Sequence, residues 1–277
     1  MKTIVLPGGE RVPAFGLGTW FMGDDRAARA EEIATLRLGL DLGATLLDTA
    51  EMYGDGRTEE LVGEAITGRR DEVFLVSKVL PQNATRRGTV AACEKTLQRL
   101  KTDRLDLYLL HWRGSVPFAE TLAALTALQS AGKIRHYGVS NLDLADMREI
   151  SAQPGGAAIA TNQLLYNLTR RGIEWDLLPW LRERNIPVMA YSPLEQGRLL
   201  TDSKLAAFAR ANDMTAAQAA LAWLLAHDDV IVIPKSARRE RLRENLGALE
   251  RPLTPAHLAE LDRLHPPPRG PVGLEML

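Results

Sequence analysis

A short apolar run followed by a stretch of helical spacing recurs eight times along this 277-residue chain, and that alternation constrains the fold more than any other feature. The apolar runs lie at 15–20, 45–47, 73–76, 105–110, 134–139, 158–161, 187–191 and 230–233. Between 28 and 42, Ile33, Leu36 and Leu40 fall on one helical face. Further helices are expected at 58–66, 85–100, 118–129, 142–151, 173–184, 205–211, 216–226, 239–249 and 255–264, the last capped by Thr254. Two short runs around Pro7-Gly8-Gly9-Glu10 read as a β-hairpin ahead of the first unit. Strand–helix alternation implies parallel strands joined by crossovers. Eight units in this length predict an α/β fold, a closed (β/α)8 TIM barrel with an N-terminal hairpin and extra helices. An open doubly wound sheet would carry Gly-x-Gly-x-x-Gly after its first strand, and Gly16-Leu17-Gly18 does not continue that way. No linker or composition shift interrupts the chain, so one domain over 1–277 is expected. The Pro266-Pro267-Pro268 segment cannot be helical and is expected to drape over the surface or the barrel mouth.

Charge and composition narrow the function. A net charge of −1 gives no basic footprint for nucleic acid and no polybasic membrane patch. No apolar run approaches the roughly 20 residues that span a bilayer, and the first residues do not read as a signal peptide. The single cysteine, Cys93, fits a reducing compartment and, among Val90, Leu97 and Leu100, reads as packing rather than a nucleophile. A cytoplasmic protein is expected. His136, His227, His257 and His265 lack metal-ligand spacing, so no metal is expected and these read as surface or cap residues. Trp175, Trp180 and Trp223 read as packing between helices and barrel.

In a barrel of this kind, functional groups sit at the C-terminal ends of strands. Asp48 ends the second run and Tyr53 lies in the loop after it; Lys78 follows the third run and His111 the fourth. A tyrosine has an ordinary pKa of about 10, too high for efficient proton exchange near neutrality. An adjacent ammonium stabilises the phenolate, and a buried ammonium in turn needs a carboxylate. Lys78 and Asp48 fit those roles, and His111 can donate to a substrate oxygen beside the phenol. Singly, each residue has a commoner structural reading: Asp48 a turn cap, Lys78 a solvated strand end, Tyr53 packing. Together they form a site that protonates a carbonyl oxygen while the carbon is reduced. The side chains supply no electrons, so a hydride donor must bind. Trp20 and Trp112 follow strands on the same rim and read as apolar ligand walls.

The motif Asp48-Thr49-Ala50-x-x-Tyr53-Gly54, with Lys78 and His111, resembles the aldo-keto reductases. Gly138-Val139-Ser140-Asn141, Asn162-Gln163, Tyr191-Ser192-Pro193-Leu194 and Ile233-Pro234-Lys235-Ser236 match in the same order, so the resemblance covers nearly the whole chain. It implies a catalytic tetrad of Asp48, Tyr53, Lys78 and His111, with Tyr53 as proton donor. It implies that Ser140, Asn141 and Gln163 hold a nicotinamide carboxamide, that Tyr191 stacks on the ring, and that Gly18 and Thr19 lie near its ribose. Ser192 and Leu194 would approach the pyrophosphate, Lys235, Ser236 and Arg241 the 2′-phosphate, and Glu244 and Asn245 the adenine. That cation set favours NADPH/NADP over NADH. Glu195 departs from the usual small residue and would sit badly beside a pyrophosphate. A short stretch after Arg251 and a brief 113–117 loop imply an open, shallow site walled by Trp20, Trp112 and Met52. The implied substrate is a small carbonyl such as methylglyoxal or an aromatic aldehyde, and a monomer is implied. The finer likeness is to bacterial methylglyoxal-reductase-like members. The rival readings are an NADPH-binding redox sensor or regulatory subunit with little turnover, and a metal-free barrel isomerase.

Overall fold

In the computed structural model, which describes residues 2–277, the hairpin β1 (Thr3–Val5) and β2 (Arg11–Pro13) pairs antiparallel. Eight further strands follow: β3 (Gly16–Gly18), β4 (Leu46–Asp48), β5 (Phe74–Val79), β6 (Leu105–Leu110), β7 (Ile134–Ser140), β8 (Ile159–Leu165), β9 (Val188–Tyr191) and β10 (Val230–Val232). They form one sheet whose spatial order is the chain order, every neighbouring pair parallel. Parallel bridges Phe15↔Val232 and Gly18↔Lys235 join the last strand to the first and close the barrel. The amides of Val232 and Gly18 donate across this seam to the carbonyls of Ala14 and Pro234 at 2.8 and 3.1 Å.

The strands read as continuous buried runs because parallel strands are covered on both faces; β5 and β6 are buried at every position. The helices are α1 (Arg29–Asp41), α2 (Arg57–Ala65), α3 (Arg86–Leu100), α4 (Phe118–Ser130), α5 (Leu144–Ser151), α6 (Leu177–Arg182), α7 (Ser203–Ala211), α8 (Ala216–Leu225), α9 (Arg239–Leu246) and α10 (Pro255–Leu264). Side-chain caps start several of them. Thr85 accepts from Gly88 N, while Thr215 and Thr254 form reciprocal capping boxes with Gln218 and His257. Thr58, expected at a helix start, is the second residue of α2 and donates to the carbonyl of Met22 at 2.6 Å.

Several expectations need correction. The helix expected at 173–184 is only the six residues of α6, preceded by a 3-10 turn at Gly172–Glu174. The helix expected to run to 249 ends at Leu246 and tightens into 3-10 geometry at Gly247–Glu250. Trp175 is 46% exposed rather than packed, whereas Trp180 and Trp223 are buried as expected. His265 is buried and takes the cap rather than the surface alternative, as the C-cap of α10. Cys93 is fully buried on α3, and burial pushes its thiol up to about 12. No described helix is long and apolar enough to cross a membrane.

Candidate active site

The C-terminal ends of β4, β5 and β6 bring the expected groups together. Lys78 Nζ, fully buried near the end of β5, donates to Asp48 Oδ2 at 2.8 Å, to the Thr49 carbonyl at 2.8 Å and to Tyr53 Oη at 3.2 Å. Alternation along β5 explains the division of labour. Lys78 turns toward Asp48 and Tyr53, while its neighbour Ser77 turns the other way and donates to Glu59 Oε1 on α2 at 2.6 Å. His111 follows β6 with its ring 6.0 Å from that of Tyr53, edge-on.

Burial and charge set the protonation states. Burial alone would lower Lys78, but Asp48 and Tyr53 outweigh it and raise the ammonium above its ordinary value. Burial also raises Tyr53 and wins over the opposing effect of Lys78. The ammonium does lower the phenol, as expected from sequence, but burial and the facing Asp48 outweigh it. Burial, reinforced by Lys78, lowers His111 to about 3, so its imidazole is neutral near pH 7.

The turn that carries Tyr53 is held from two sides. Glu51 Oε1 accepts from Leu80 N at 2.7 Å and from Asn83 Nδ2 at 2.9 Å, tying the loop after β4 to the loop after β5. Gly56, at φ 91°, lets the chain enter α2 beneath Arg99; a Cβ there would meet the Arg99 side chain at 2.6 Å. Arg99 Nε donates to the buried Glu59 at 2.5 Å.

A second group of expected residues adjoins the first. Ser140 Oγ donates to the Gln163 carbonyl at 2.9 Å, Asn141 Nδ2 donates to the His111 carbonyl at 3.2 Å, and Tyr191 Oη donates to Asn141 Oδ1 at 3.0 Å. Thr19 Oγ1 donates to the Asp48 carbonyl at 2.8 Å, and Gly18 lies beside Lys235 at the seam. Ser192 takes left-handed backbone, its carbonyl accepts from Asn167 Nδ2 at 2.9 Å, and Leu194 packs against the core. Around the seam from the tetrad, Lys235 and Ser236 follow β10, and Arg241, Glu244 and Asn245 share one face of α9 at i, i+3, i+4 spacing. Among the described residues neither Lys235 nor Arg241 has a carboxylate within ion-pair distance, and burial lowers Lys235.

Glu195 does not face outward. It is buried and accepts from Asn167 Nδ2 at 2.7 Å, Arg170 Nε at 3.0 Å and Arg198 Nη2 at 3.1 Å. Burial would raise its pKa, but these donors outweigh it and hold the carboxylate low. Arg170 also pairs with Glu275 at 2.5 Å, and Leu277 N lies 3.4 Å from Tyr191 Oη, so the 272–277 segment lies along the barrel mouth.

Trp20 lies 6.5 Å from Tyr53 and Trp112 4.8 Å from His111, ring to ring; Met52 is exposed on the turn between Asp48 and Tyr53. Sequence reasoning passed over Phe21. It stacks on Trp20 at 4.3 Å, stands 57% exposed, and holds left-handed backbone at φ 65°. Its only sequence signal is its place directly after Trp20, before Gly23.

A family model described as the aldo/keto reductase family matches residues 14–266. The chain belongs to the aldo-keto reductase family. As such it is an oxidoreductase, and the parallel barrel agrees with its relatives. It is 52% identical over 281 residues to methylglyoxal reductase YeaE of Escherichia coli (strain K12), covering 100% of this chain and 99% of that protein. A glyoxal reductase of Bacillus subtilis (strain 168) is 33% identical, over 99% of this chain and 97% of that protein. The crystal structure of an aldo-keto reductase from Klebsiella pneumoniae in complex with NADPH superposes with a TM-score of 0.97. It is 50% identical, and the match covers 100% of this chain and 99% of that one.

Proposed function

We propose that this aldo-keto reductase reduces small aldehydes and ketones, methylglyoxal and aromatic aldehydes among them, to alcohols, with NADPH preferred over NADH. The observation that carries the reading is the buried Asp48–Lys78–Tyr53 chain of contacts beside neutral His111, adjoining Ser140, Asn141, Gln163 and Tyr191. The names of the E. coli methylglyoxal reductase and of the NADPH-bound Klebsiella protein support it. The residues present suit the cofactor. Lys235 and Arg241, without carboxylate partners, are a donor set for a phosphate dianion. The Ser140, Asn141 and Gln163 side chains offer both donors and acceptors for a carboxamide. Bound NADPH supplies a hydride to the carbonyl carbon.

The protein's part is to place the carbonyl and deliver a proton. His111, neutral, donates a hydrogen bond to the carbonyl oxygen. Tyr53 holds its proton across the neutral range because burial raises its pKa, and it gives that proton to the oxygen as negative charge develops there. Lys78 at 3.2 Å stabilises the phenolate left behind, and Asp48 keeps Lys78 charged. Solvent then returns a proton to Tyr53. Trp20, Trp112 and Met52 wall the carbonyl's substituents, and Glu195, turned inward, leaves the Ser192–Leu194 loop free of an opposing charge.

NADPH oxidation by purified protein over a panel from methylglyoxal and benzaldehyde to bulky ketones tests the reading. The expected order of kcat/KM places the small aldehydes first. Saturable NADPH binding with no turnover on any carbonyl would overturn it in favour of a regulatory role.

A further inference from the structure

Gln163 makes a contact that a cofactor ligand alone does not need. It is buried on β8, across the barrel interior from β4 and β5, and its Nε2 donates to Asp48 Oδ1 at 2.8 Å. The two oxygens of Asp48 are thereby divided: Oδ2 takes Lys78 and Oδ1 takes Gln163, each at 2.8 Å. A carboxylate only accepts, so the amide can face it in one orientation, with nitrogen inward. Met189 on β9 lies against the same nitrogen. The Gln163 Oε1 takes no hydrogen bond among the described residues and, unlike His111 Nδ1, is not sealed away from a ligand.

We propose that Gln163 is a positioning residue of the proton-transfer group: it pins Asp48 so that its other oxygen holds Lys78, and this leaves Oε1 as the one Gln163 atom turned to a ligand. The inference rests on the proposed reductase function for its meaning, and on the buried geometry for its substance. A two-oxygen carboxylate held on one side only can swing about its terminal bond. Held from β5 and from β8 it has one orientation, and Lys78 keeps its place beneath Tyr53. The same amide presents an acceptor to the amino group of a nicotinamide carboxamide. One side chain thus joins the hydride site to the proton site, and the carboxamide is oriented by a charge that it never touches.

The ionisable groups around this junction are Asp48 and Lys78 themselves, Tyr53, His111 and Tyr191. Outside the Asp48–Lys78 pair none is expected to titrate between pH 5 and 8: His111 stands at about 3, Tyr191 at about 12, and Tyr53 above its ordinary value. Lys78 is raised as well. A carboxyl substituted at this position is therefore read, together with Asp48, as the difference from the unaltered protein. In Gln163→Glu the new carboxyl faces Asp48 in a buried site with one ammonium between two carboxylates, so one proton must stay on the pair.

Infrared and carbon-13 spectra of Gln163→Glu, followed from pH 4 to 9 without cofactor, are expected to show one carboxyl proton retained at pH 7. Its loss should come at least ~3 pH units above the ordinary glutamate value of about 4.3. Titration near that ordinary value would overturn the proposal, because the substituted carboxyl would then lie away from Asp48. A second measurement uses the unaltered protein with nitrogen-15 glutamine. The Gln163 side-chain amide, assigned through its own backbone, should exchange with solvent at least ~10-fold more slowly than a free glutamine amide, as a charge-assisted hydrogen bond requires. Exchange at the free rate would also overturn the proposal. Neither measurement needs turnover, so a protein that reduces no carbonyl would fell the functional reading and leave this one standing.

Discussion

Lys78 carries three hydrogen bonds with no contact to water, and its pairing bears on the proposed chemistry and on stability. Lys78→Met leaves Asp48 with a buried, unneutralised charge. The expected cost is about 3–5 kcal/mol by denaturant unfolding, with loss of reductase turnover; a cost under about 1 kcal/mol would mean that the pair is not held as described. His111 gives a pH signature. Its folded value of about 3 lies below the ordinary 6.5, so between those values the unfolded chain binds a proton that the folded one refuses. This group's contribution is therefore fully present above pH 6.5 and is lost as pH falls toward 3, by up to about 1.4 kcal/mol per pH unit. Melting temperatures measured from pH 4 to 7 should fall less steeply in His111→Gln than in the unaltered protein, and parallel curves would contradict the assignment. At the far side of the seam, Lys235→Ala and Arg241→Ala are each expected to weaken NADPH binding about 10- to 100-fold, the loss of one charge-assisted contact. NADH binding should change little, and equal losses for both dinucleotides would remove the 2′-phosphate role.

At the scale of elements, the pair of buried Glu59 with partly exposed Arg99 locks the α2 entry, and with it the Tyr53 turn, against α3 and β5. Arg99→Met leaves the buried Glu59 carboxylate without a cation, held by neutral donors such as Ser77 alone. About 3–5 kcal/mol of destabilisation is expected in a denaturant titration, whereas a cost within about 0.5 kcal/mol would show that water reaches Glu59. This pair was not legible in sequence: nothing marks Glu59 as buried on a helix that also carries Glu60 and Glu64 on a charged face. The strands were legible because buried parallel strands are unbroken apolar runs, and α10 was legible because Thr254-Pro255 is a self-contained start signal. The shortened α6 was harder to see. Most of the shortening is at its start, where Asp176 at φ −139° separates the Gly172–Glu174 turn from α6, and the apolar spacing through Ile173, Leu177 and Trp180 does not show that break. Glu195 shows the same limit. Its place directly after Ser192-Pro193-Leu194 is plain in the sequence, but its inward direction depends on Asn167 and Arg170, which the sequence does not place next to it.

For the whole molecule, closure of the barrel is what turns dispersed strand ends into a site. Asp48, Lys78, His111, Ser140, Gln163 and Tyr191 come from strands or strand ends spread over about half the chain, and the order of the sheet sets them side by side. That juxtaposition was legible because eight alternating units allow few topologies. The contact between Gln163 and Asp48, which spans the barrel rather than neighbouring strands, was not, since it depends on barrel diameter and side-chain direction. In the proposed reaction Tyr53 delivers the proton while other residues hold the cofactor. The most direct test compares the unaltered protein with Tyr53→Phe, measuring NADPH consumption with methylglyoxal and NADPH affinity by tryptophan fluorescence. The expected result is loss of turnover by at least about 100-fold, the scale of a removed general acid, with NADPH affinity changed less than about 3-fold. Turnover retained in Tyr53→Phe, with NADPH binding lost, would contradict the account.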